Sequence, residues 1–338
     1  MASDTSARQA DRGRAADKPQ DIPAKGWKDI AVRVKESLRD DQVPLLAAGV
    51  AFFTLLALAP ALAAVVSLYG LVTSPADASR QISDFTTALP AEARSLIGNQ
   101  LKAVAGGNSG GLGLALVVSI LLSLWAASGG MKQLIEAVNV AYDETETRKF
   151  LRLRGLALLF TVGMIVVFVA TLGLLAILPA VVDSSAGQVI ANIVRWPLLA
   201  VLMAAALAVL YRYAPDRDEP KLRWVSWGAG IATVLWVIGS VLFAVYVSNF
   251  GKYNETYGSL GAVVVLLLWL YLSAFIVLLG AEINAEMELQ TARDTTKGAE
   301  QPMGTRDAYA ADSVGPSTED LKEAKTEKLA AARAQKGK

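Results

Sequence analysis

Arg195 is a charged residue within an otherwise uncharged stretch, residues 189–211. A guanidinium binds a phosphate or carboxylate through two parallel hydrogen bonds, which suits a ligand that carries an anionic group. The alternative is that the side chain extends past Trp196 to a membrane surface and only anchors the segment there.

Glu282, Asn284 and Glu286 are a second polar group, at alternate positions after a long apolar run. Glu282 and Glu286 are four residues apart, so they share one face of a helix. Such a pair could bind a coupling cation or control access to an inner vestibule. The alternative is that the three residues form the hydrated end of a helix and bond to Arg148 or its neighbours.

Tyr257, Gly258 and Ser259 precede the same apolar run. They could form a close-packed or re-entrant turn near a substrate. The alternative is a helix N-terminus at which Ser259 is the cap and glycine permits tight contact between helices. With the two groups above, these residues are our candidates for a substrate pathway.

Cysteine and histidine are absent from the 338 residues. Their absence removes thiol nucleophiles, cysteine-ligated metals, the commonest metal ligand and the commonest general base near neutral pH. No phosphate-binding loop of the form GxxxxGK[ST] occurs either, which argues against ATP-driven transport by this chain alone. We therefore predict a protein that is not an enzyme and has no catalytic residues, no cofactor and no metal.

The elements that must position these residues are long apolar helices. Six runs contain no Asp, Glu, Lys or Arg, and five of them exceed the 18 residues typical of a transmembrane helix. Runs of this length favour helices over the shorter strands of a membrane barrel. The sequence predicts an all-α, polytopic membrane protein with a six-helix bundle. Its predicted spans are 44–70, 112–130, 155–181, 189–211, 224–247 and 260–282.

The distribution of positive charge predicts the orientation of this bundle. Of the 32 Lys and Arg residues, 27 lie in the terminal segments and in the two loops on the same side, and five lie on the opposite side. Because cytoplasmic loops are enriched in Lys and Arg, we expect both termini in the cytoplasm.

The segments outside the spans are polar. Residues 27–39 alternate apolar and basic positions at helical spacing, which predicts either an interfacial amphipathic helix or a solvated helix packed on the bundle. We expect a transmembrane domain over 27–290, flanked by disordered cytoplasmic tails at 1–26 and 291–338. Within the second tail, residues 318–334 could form a transient helix.

Three segments carry a resemblance to a known family. They are DDQVPLLAAGVAFFTLLALAPALAAVVSLYGL (40–71), LIEAVNVAYDETETRKFLRLRG (134–155) and the long segment 211–288, which includes YGSLGAVVVLLLWLYLSAFIVLLGAEINAE. The sequence resembles the YihY/BrkB family of bacterial inner-membrane proteins over about 27–290. The resemblance implies six transmembrane helices, cytoplasmic termini and a location in the bacterial inner membrane.

The resemblance also brings three functional labels: tRNA-processing ribonuclease, virulence factor and envelope lipid transport. We reject the ribonuclease interpretation because the chain lacks histidine and has no dense group of carboxylates. We predict a transporter or exporter of an envelope lipid or other anionic amphiphile. The alternative is a membrane scaffold for envelope machinery, with a filled interior and no cavity. The expected partners are membrane lipids and envelope-assembly proteins, not nucleic acid; the sequence leaves the oligomeric state open.

Overall fold

The computed structural model describes residues 11–72, 112–180, 185–249 and 259–336. In these ranges the protein is all-helical, with one isolated antiparallel bridge between Pro220 and Thr296 and no β-strand. A short 3₁₀ turn, Pro19–Asp21, comes before the first α-helix. The α-helices are α1 (Ala24–Asp40), α2 (Val43–Val72), α3 (Leu112–Ala141), α4 (Phe150–Ala180), α5 (Ser185–Tyr213), α6 (Leu222–Asn249), α7 (Ser259–Glu288), α8 (Tyr309–Asp312) and α9 (Thr318–Lys336).

The long helices α2 to α7 coincide with the six predicted apolar segments. Four of them, α4 to α7, contain segments long and apolar enough to cross a membrane. Helix α1 and the first part of α2 form a fifth candidate if the pair, which is bent by 60°, counts as one span. The described residues thus contain four or five candidate membrane spans. Helix α3 continues beyond residue 130, where the predicted span ends, to Ala141.

The helices α2 to α7 form a closed ring. Each packs against the next one along the chain, and α7 returns to pack against α2. Helix α7 also contacts α1 and α3, so it touches more of the bundle than any other helix in the described part of the chain. The polar residues at its end, Glu282 to Glu288, are therefore placed where several elements meet.

The main core lies at one end of this ring. Buried apolar residues come from the beginnings of α2, α4 and α6 and from the ends of α3, α5 and α7; examples are Val43, Tyr142, Ala157, Tyr211 and Leu278. Because the long helices alternate in direction, the polar segments that connect them at this end also come together. We call this the polar end of the bundle.

Two glycines bring α6 and α7 into close contact at this end. A Cβ atom on Gly228 would lie 2.3 Å from the carbonyl oxygen of Gly280, and one on Gly280 would lie 2.4 Å from the Tyr211 hydroxyl. That hydroxyl donates a hydrogen bond to the Val277 carbonyl at 2.7 Å. Small residues of this kind let helix backbones approach closely inside a membrane protein.

Helix α1 packs on the bundle. Its apolar residues Ile30 and Val34 are buried in a small core with Trp224 and Met287. Its polar residues Asp29 and Arg33 are buried as well, at 1% and 3% exposure. Of the two interpretations of residues 27–39, the structure favours a helix packed on the bundle, in which Arg33 points inward.

The two terminal segments pack together at the polar end. The Arg14 guanidinium donates to the carbonyl oxygens of Leu289, Gln290 and Gly315, and the N–H of Ala292 donates to the Arg14 carbonyl at 2.8 Å. We call residues 11–23 together with 289–318 the clasp.

The clasp differs from the disorder predicted for 1–26 and 291–338. Buried hydrogen bonds order these polar segments although they contain few apolar residues. The guanidinium of Arg306, which is 4% exposed, donates to the carbonyl oxygens of residues 292, 293, 301 and 311. Helix α9, by contrast, is mostly exposed, and residues 1–10 lie outside the described ranges.

Candidate functional site

Within the described residues, a partly open cavity lies between α4 and α5. Its volume is about 860 Å³, within the range of small-molecule binding sites, and it opens to the outside. Most of its surface is apolar. The apolar part of the lining includes Leu156, Phe160 and Met164 from α4, and Leu202, Ala206 and Val209 from α5.

Two glycines of α4 widen the cavity on the side that faces α5. Gly155 and Gly163 both line the cavity, and a Cβ atom built on either residue would meet no other atom within 4 Å. On α5, Ala205 and Ala206 contribute only methyl groups to the lining. Gly155 and Gly163 leave a gap between α4 and α5. Gly228 and Gly280, by contrast, let α6 and α7 pack closely.

The mouth of the cavity at the polar end is lined by charged residues. Arg148, Arg152, Arg212 and Arg217 surround it together with Asp216 and Glu219. The cavity therefore combines apolar helix faces with charged residues at its polar end, although the Arg217 side chain itself is fully buried. This arrangement matches a molecule that has an apolar chain and an anionic head.

Arg148 is held by two carboxylates and a carbonyl group. Its guanidinium donates to Glu146 at 2.6 Å and to the Ala214 carbonyl at 2.8 Å, and it lies 3.5 Å from Asp216. Burial alone would raise the pKa of Asp216, but hydrogen bonds from Thr147 and the charge of Arg148 lower it overall. The pKa of Glu146 is lowered in the same way, against burial, by Arg148 and Asn139. Both carboxylates are ionised at neutral pH and balance Arg148.

The other arginines at the mouth differ in their pairing. Arg212 pairs with Glu219 at 3.2 Å, and Arg217 pairs with Glu288 at 2.8 Å. Arg152 is exposed and has no ion-pair partner among the described residues.

Arg195 lies in α5 but does not line this cavity. It is half-buried, and its guanidinium carbon lies 5.4 Å from the centre of the Trp196 ring. Its Nε atom is buried and has no hydrogen-bond partner within the described ranges. Whether Arg195 anchors α5 or binds a ligand stays a prediction.

Glu286 and Glu282 share the face of α7 that turns toward α1 and α2, but their surroundings differ. Glu286 accepts hydrogen bonds from Arg33 and Ser37 of α1. Its cation is thus Arg33, whereas we expected Arg148 or a neighbour. Glu282 is 2% exposed, and its Oε1 atom has no hydrogen-bond partner in the part of the chain that the structure describes.

Asn284 is fully buried and joins α7 to α6. Its side-chain oxygen accepts a hydrogen bond from the Gly228 N–H at 2.8 Å, and its amide nitrogen donates to the Val225 carbonyl at 3.3 Å. The structure therefore brings Glu282, Asn284 and Glu286 together at the polar end, but not with Arg195.

The third group falls largely outside the described residues. Tyr257 and Gly258 lie outside them, and Ser259 is the first residue of α7, with a side chain that is not described. No group of three or more acidic residues in the described ranges is arranged to hold a metal ion.

Sequence reasoning missed the residues that form the site. Arg152, Arg212 and Arg217 entered the sequence analysis only among the positive charges that set the orientation, and Arg148 also as a partner for the end of the last apolar run. Gly155 and Gly163 carried no signal, because a glycine in a membrane helix also fits tight packing. One available signal was the spacing of Arg152, Gly155, Leu156, Leu159 and Gly163, which places a cation and an apolar stripe on one helix face.

Comparisons with known proteins place the chain among membrane proteins. It matches the model of the family described as Virulence factor BrkB over residues 34–304. It is 34% identical over 252 residues to a Bacillus subtilis protein named putative ribonuclease-like protein YfkH, covering 70% of this chain and 87% of that relative. It is 29% identical over 260 residues to a UPF0761 membrane protein of Vibrio atlanticus, covering 73% of this chain and 78% of that relative.

A UPF0761 membrane protein of Verminephrobacter eiseniae is 27% identical over 270 residues, covering 77% of this chain and 62% of that relative. The chain has no match among solved structures. The family model covers most of the chain, including the long helices and the cavity between α4 and α5. The chain therefore belongs to the Virulence factor BrkB family.

Proposed function

We propose that this membrane protein binds an anionic amphiphile in the cavity between α4 and α5 and moves it as a transporter or exporter of an envelope lipid. The proposal includes six membrane spans, α2 to α7, in the bacterial inner membrane with both termini in the cytoplasm. The polar end then faces the cytoplasm, in line with the distribution of Lys and Arg.

The observation that supports this function is the amphipathic cavity. A lipid has a head that needs charged or polar partners and chains that need apolar surroundings. The arginines at the mouth and the apolar faces of α4 and α5 offer both within one space of about 860 Å³. The cavity lies between two candidate spans and is partly open, so a lipid could enter it from the bilayer without crossing water.

The alternative, a scaffold that moves nothing, requires a filled interior. The cavity favours a binding function over a scaffold function, since a purely structural bundle gains stability by closing such a space. An enzymatic function has no support in the cavity, because its lining contains arginines, two carboxylates and a tyrosine as the only ionisable side chains.

Gly163 allows a direct test, because it faces the cavity and its substitution leaves the neighbouring backbone in place. A Gly163→Phe variant fills the space between the helices, since a Cβ atom there meets nothing within 4 Å. Gly230→Phe is the matched control: Gly230 also lies in a candidate span with open space around it, but it does not line the cavity.

The readout is the movement of a fluorescent phosphatidylglycerol between the two leaflets of proteoliposomes made of phosphatidylethanolamine and phosphatidylglycerol. We expect the parent and Gly230→Phe to accelerate this movement and Gly163→Phe to lose most of the acceleration. Size-exclusion chromatography establishes that all three are folded. The proposal is wrong if the parent moves lipid no faster than protein-free vesicles, or if Gly163→Phe equals the parent.

A further inference from the structure

We propose that the ligand of the cavity is a lipid with a single phosphodiester head and that Arg152 is the residue that binds this phosphate. This inference rests on the proposed function and narrows it to one class of ligand. It follows from the pairing of the four arginines at the mouth.

Three of the four guanidinium groups are already bound to carboxylates. Arg148, Arg212 and Arg217 pair with Glu146, Glu219 and Glu288 respectively. The exposed fractions of the three arginine side chains are 8%, 10% and 0%, so none of them can turn toward a new ligand without leaving its carboxylate. Breaking the pair is most unfavourable for Arg217 and Glu288, whose side chains are both fully buried.

Arg152 differs from these three arginines in its exposure and in its pairing. It is exposed, and it has no ion pair with any described residue. A phosphate that reaches the mouth can therefore bind Arg152 without displacing a carboxylate. A guanidinium can donate two parallel hydrogen bonds to the two free oxygens of one phosphodiester.

The position of Arg152 on α4 also fits a lipid. Gly155, Leu156, Leu159 and Gly163 follow it at helical spacing and line the cavity with it. The guanidinium thus stands in the first turn of α4, and the apolar stripe begins one turn later on the same face. A phosphate bound at Arg152 directs the attached acyl chain along this stripe.

The same charges argue against a head with two or more phosphates. Asp216 and Glu219 also line the mouth, and hydrogen bonds and charge lower the pKa of Asp216, so it is ionised. After one phosphate has bound Arg152, a second one meets these carboxylates, and the other arginines of the cavity lining are already paired. Because like charges repel one another, the lining favours a single phosphate charge.

The test is native mass spectrometry of the purified full-length chain with equal amounts of three lipids. Phosphatidylglycerol has one phosphate, cardiolipin has two, and diacylglycerol has none. We expect the parent to bind phosphatidylglycerol in preference to both others. Arg152→Gln should weaken phosphatidylglycerol binding by about tenfold or more and abolish the preference over diacylglycerol, and Arg152→Lys should retain part of it.

Arg223→Gln is the matched control. Arg223 is exposed and lies in the first turn of α6, but it is not part of the cavity lining, so its substitution should leave lipid binding unchanged. If Arg152→Gln binds phosphatidylglycerol as the parent does while Gly163→Phe binds none, the assignment of Arg152 fails and the cavity function stands. If the parent prefers cardiolipin, the single-phosphate class is wrong. If the parent binds none of the three lipids, the proposed function itself fails.

Discussion

Arg217, in the connection between α5 and α6, and Glu288, at the end of α7, form an ion pair in which neither side chain is exposed to solvent. The guanidinium makes two hydrogen bonds to the carboxylate, at 2.8 and 3.3 Å, and lies over the Tyr142 ring at 5.3 Å. The Thr295 hydroxyl donates a further bond to the carboxylate at 2.6 Å. The pair thus connects the mouth of the cavity to α7 and to the clasp.

Removing one member of this pair should destabilise the protein severely. Arg217→Met leaves the Glu288 carboxylate buried without a cation, which we expect to lower the free energy of unfolding by about 3–5 kcal/mol. The double variant Arg217→Met, Glu288→Leu should be more stable than Arg217→Met alone, because it removes the unpaired charge as well. Thermal unfolding in detergent measures both. A double variant that is no more stable than Arg217→Met would contradict the importance of the buried charge.

Gly26 permits a test of the clasp. A Cβ atom on Gly26 would lie 2.3 Å from the Arg12 carbonyl oxygen, so Gly26→Ala should detach residues 11–23 from α1 although alanine favours a helix. Hydrogen–deuterium exchange should then increase at Ala292, whose N–H bonds to the Arg14 carbonyl. Gly49→Ala in α2, where a Cβ meets nothing within 4 Å, should leave this exchange unchanged. Unchanged exchange at Ala292 in Gly26→Ala would contradict the role of Gly26 in holding residues 11–23 against α1.

Asp41, at the bend between α1 and α2, should make stability depend on pH. Burial, followed by the negative charges of Asp143, Asp40 and Glu286, raises the pKa of Asp41 to about 6. A carboxyl with a raised pKa favours the folded state most below its unfolded pKa of about 4, and this contribution is lost as pH rises through 6.

The melting temperature of the parent should therefore fall between pH 4 and 7 by more than that of Asp41→Asn, which cannot ionise. Glu282 also faces Asp41, so part of the dependence remains in the variant. Asp218→Asn, at an exposed position of the same polar end, should follow the parent. Identical profiles for the parent and Asp41→Asn would rule out the effect.

The orientation of the bundle can be measured with reporter fusions. A reporter fused near residue 20 and one fused after residue 290 should both report the cytoplasm, and one within residues 77–102 should report the periplasm. The reason is that 27 of the 32 Lys and Arg residues lie on the side of the termini. A periplasmic signal from the fusion after residue 290 would overturn this orientation.

Ribonuclease activity should be absent from the purified chain. The chain has no histidine, and within the described residues no acidic group is arranged to hold a metal. The measurement is RNA cleavage by protein purified to constant specific activity. Cleavage that persists and disappears with a single substitution in this chain would refute the prediction.

Hydropathy predicted the positions of the helices well and their polar ends less well. The span predicted at 44–70 corresponds to α2 at Val43–Val72. The span predicted at 260–282 corresponds to a helix that continues to Glu288. The extra turns are polar, and they are stable because Glu286 and Glu288 meet Arg33 and Arg217, which hydropathy does not take into account.

The cavity and the clasp were beyond prediction for a related reason. Gly163 looks the same in sequence whether the facing helix fills the space or leaves it open, and only the positions of α4 and α5 decide between the two. The terminal segments are ordered by contacts between residues that are distant in sequence, such as Arg14 and Gly315, which are 301 residues apart. Composition describes each segment by itself and therefore predicts disorder for both.

The contacts of α1 and of the clasp can form only late in the synthesis of the protein. Arg33 leaves the ribosome 253 residues before its partner Glu286, and Arg14 leaves 275 residues before Leu289. Helix α1 must therefore wait, with an unpaired guanidinium, while all the membrane helices are made and inserted. A nascent chain that stops before α7 ends lacks Glu286, so the Arg33 guanidinium does not have the carboxylate that it pairs with in the folded protein.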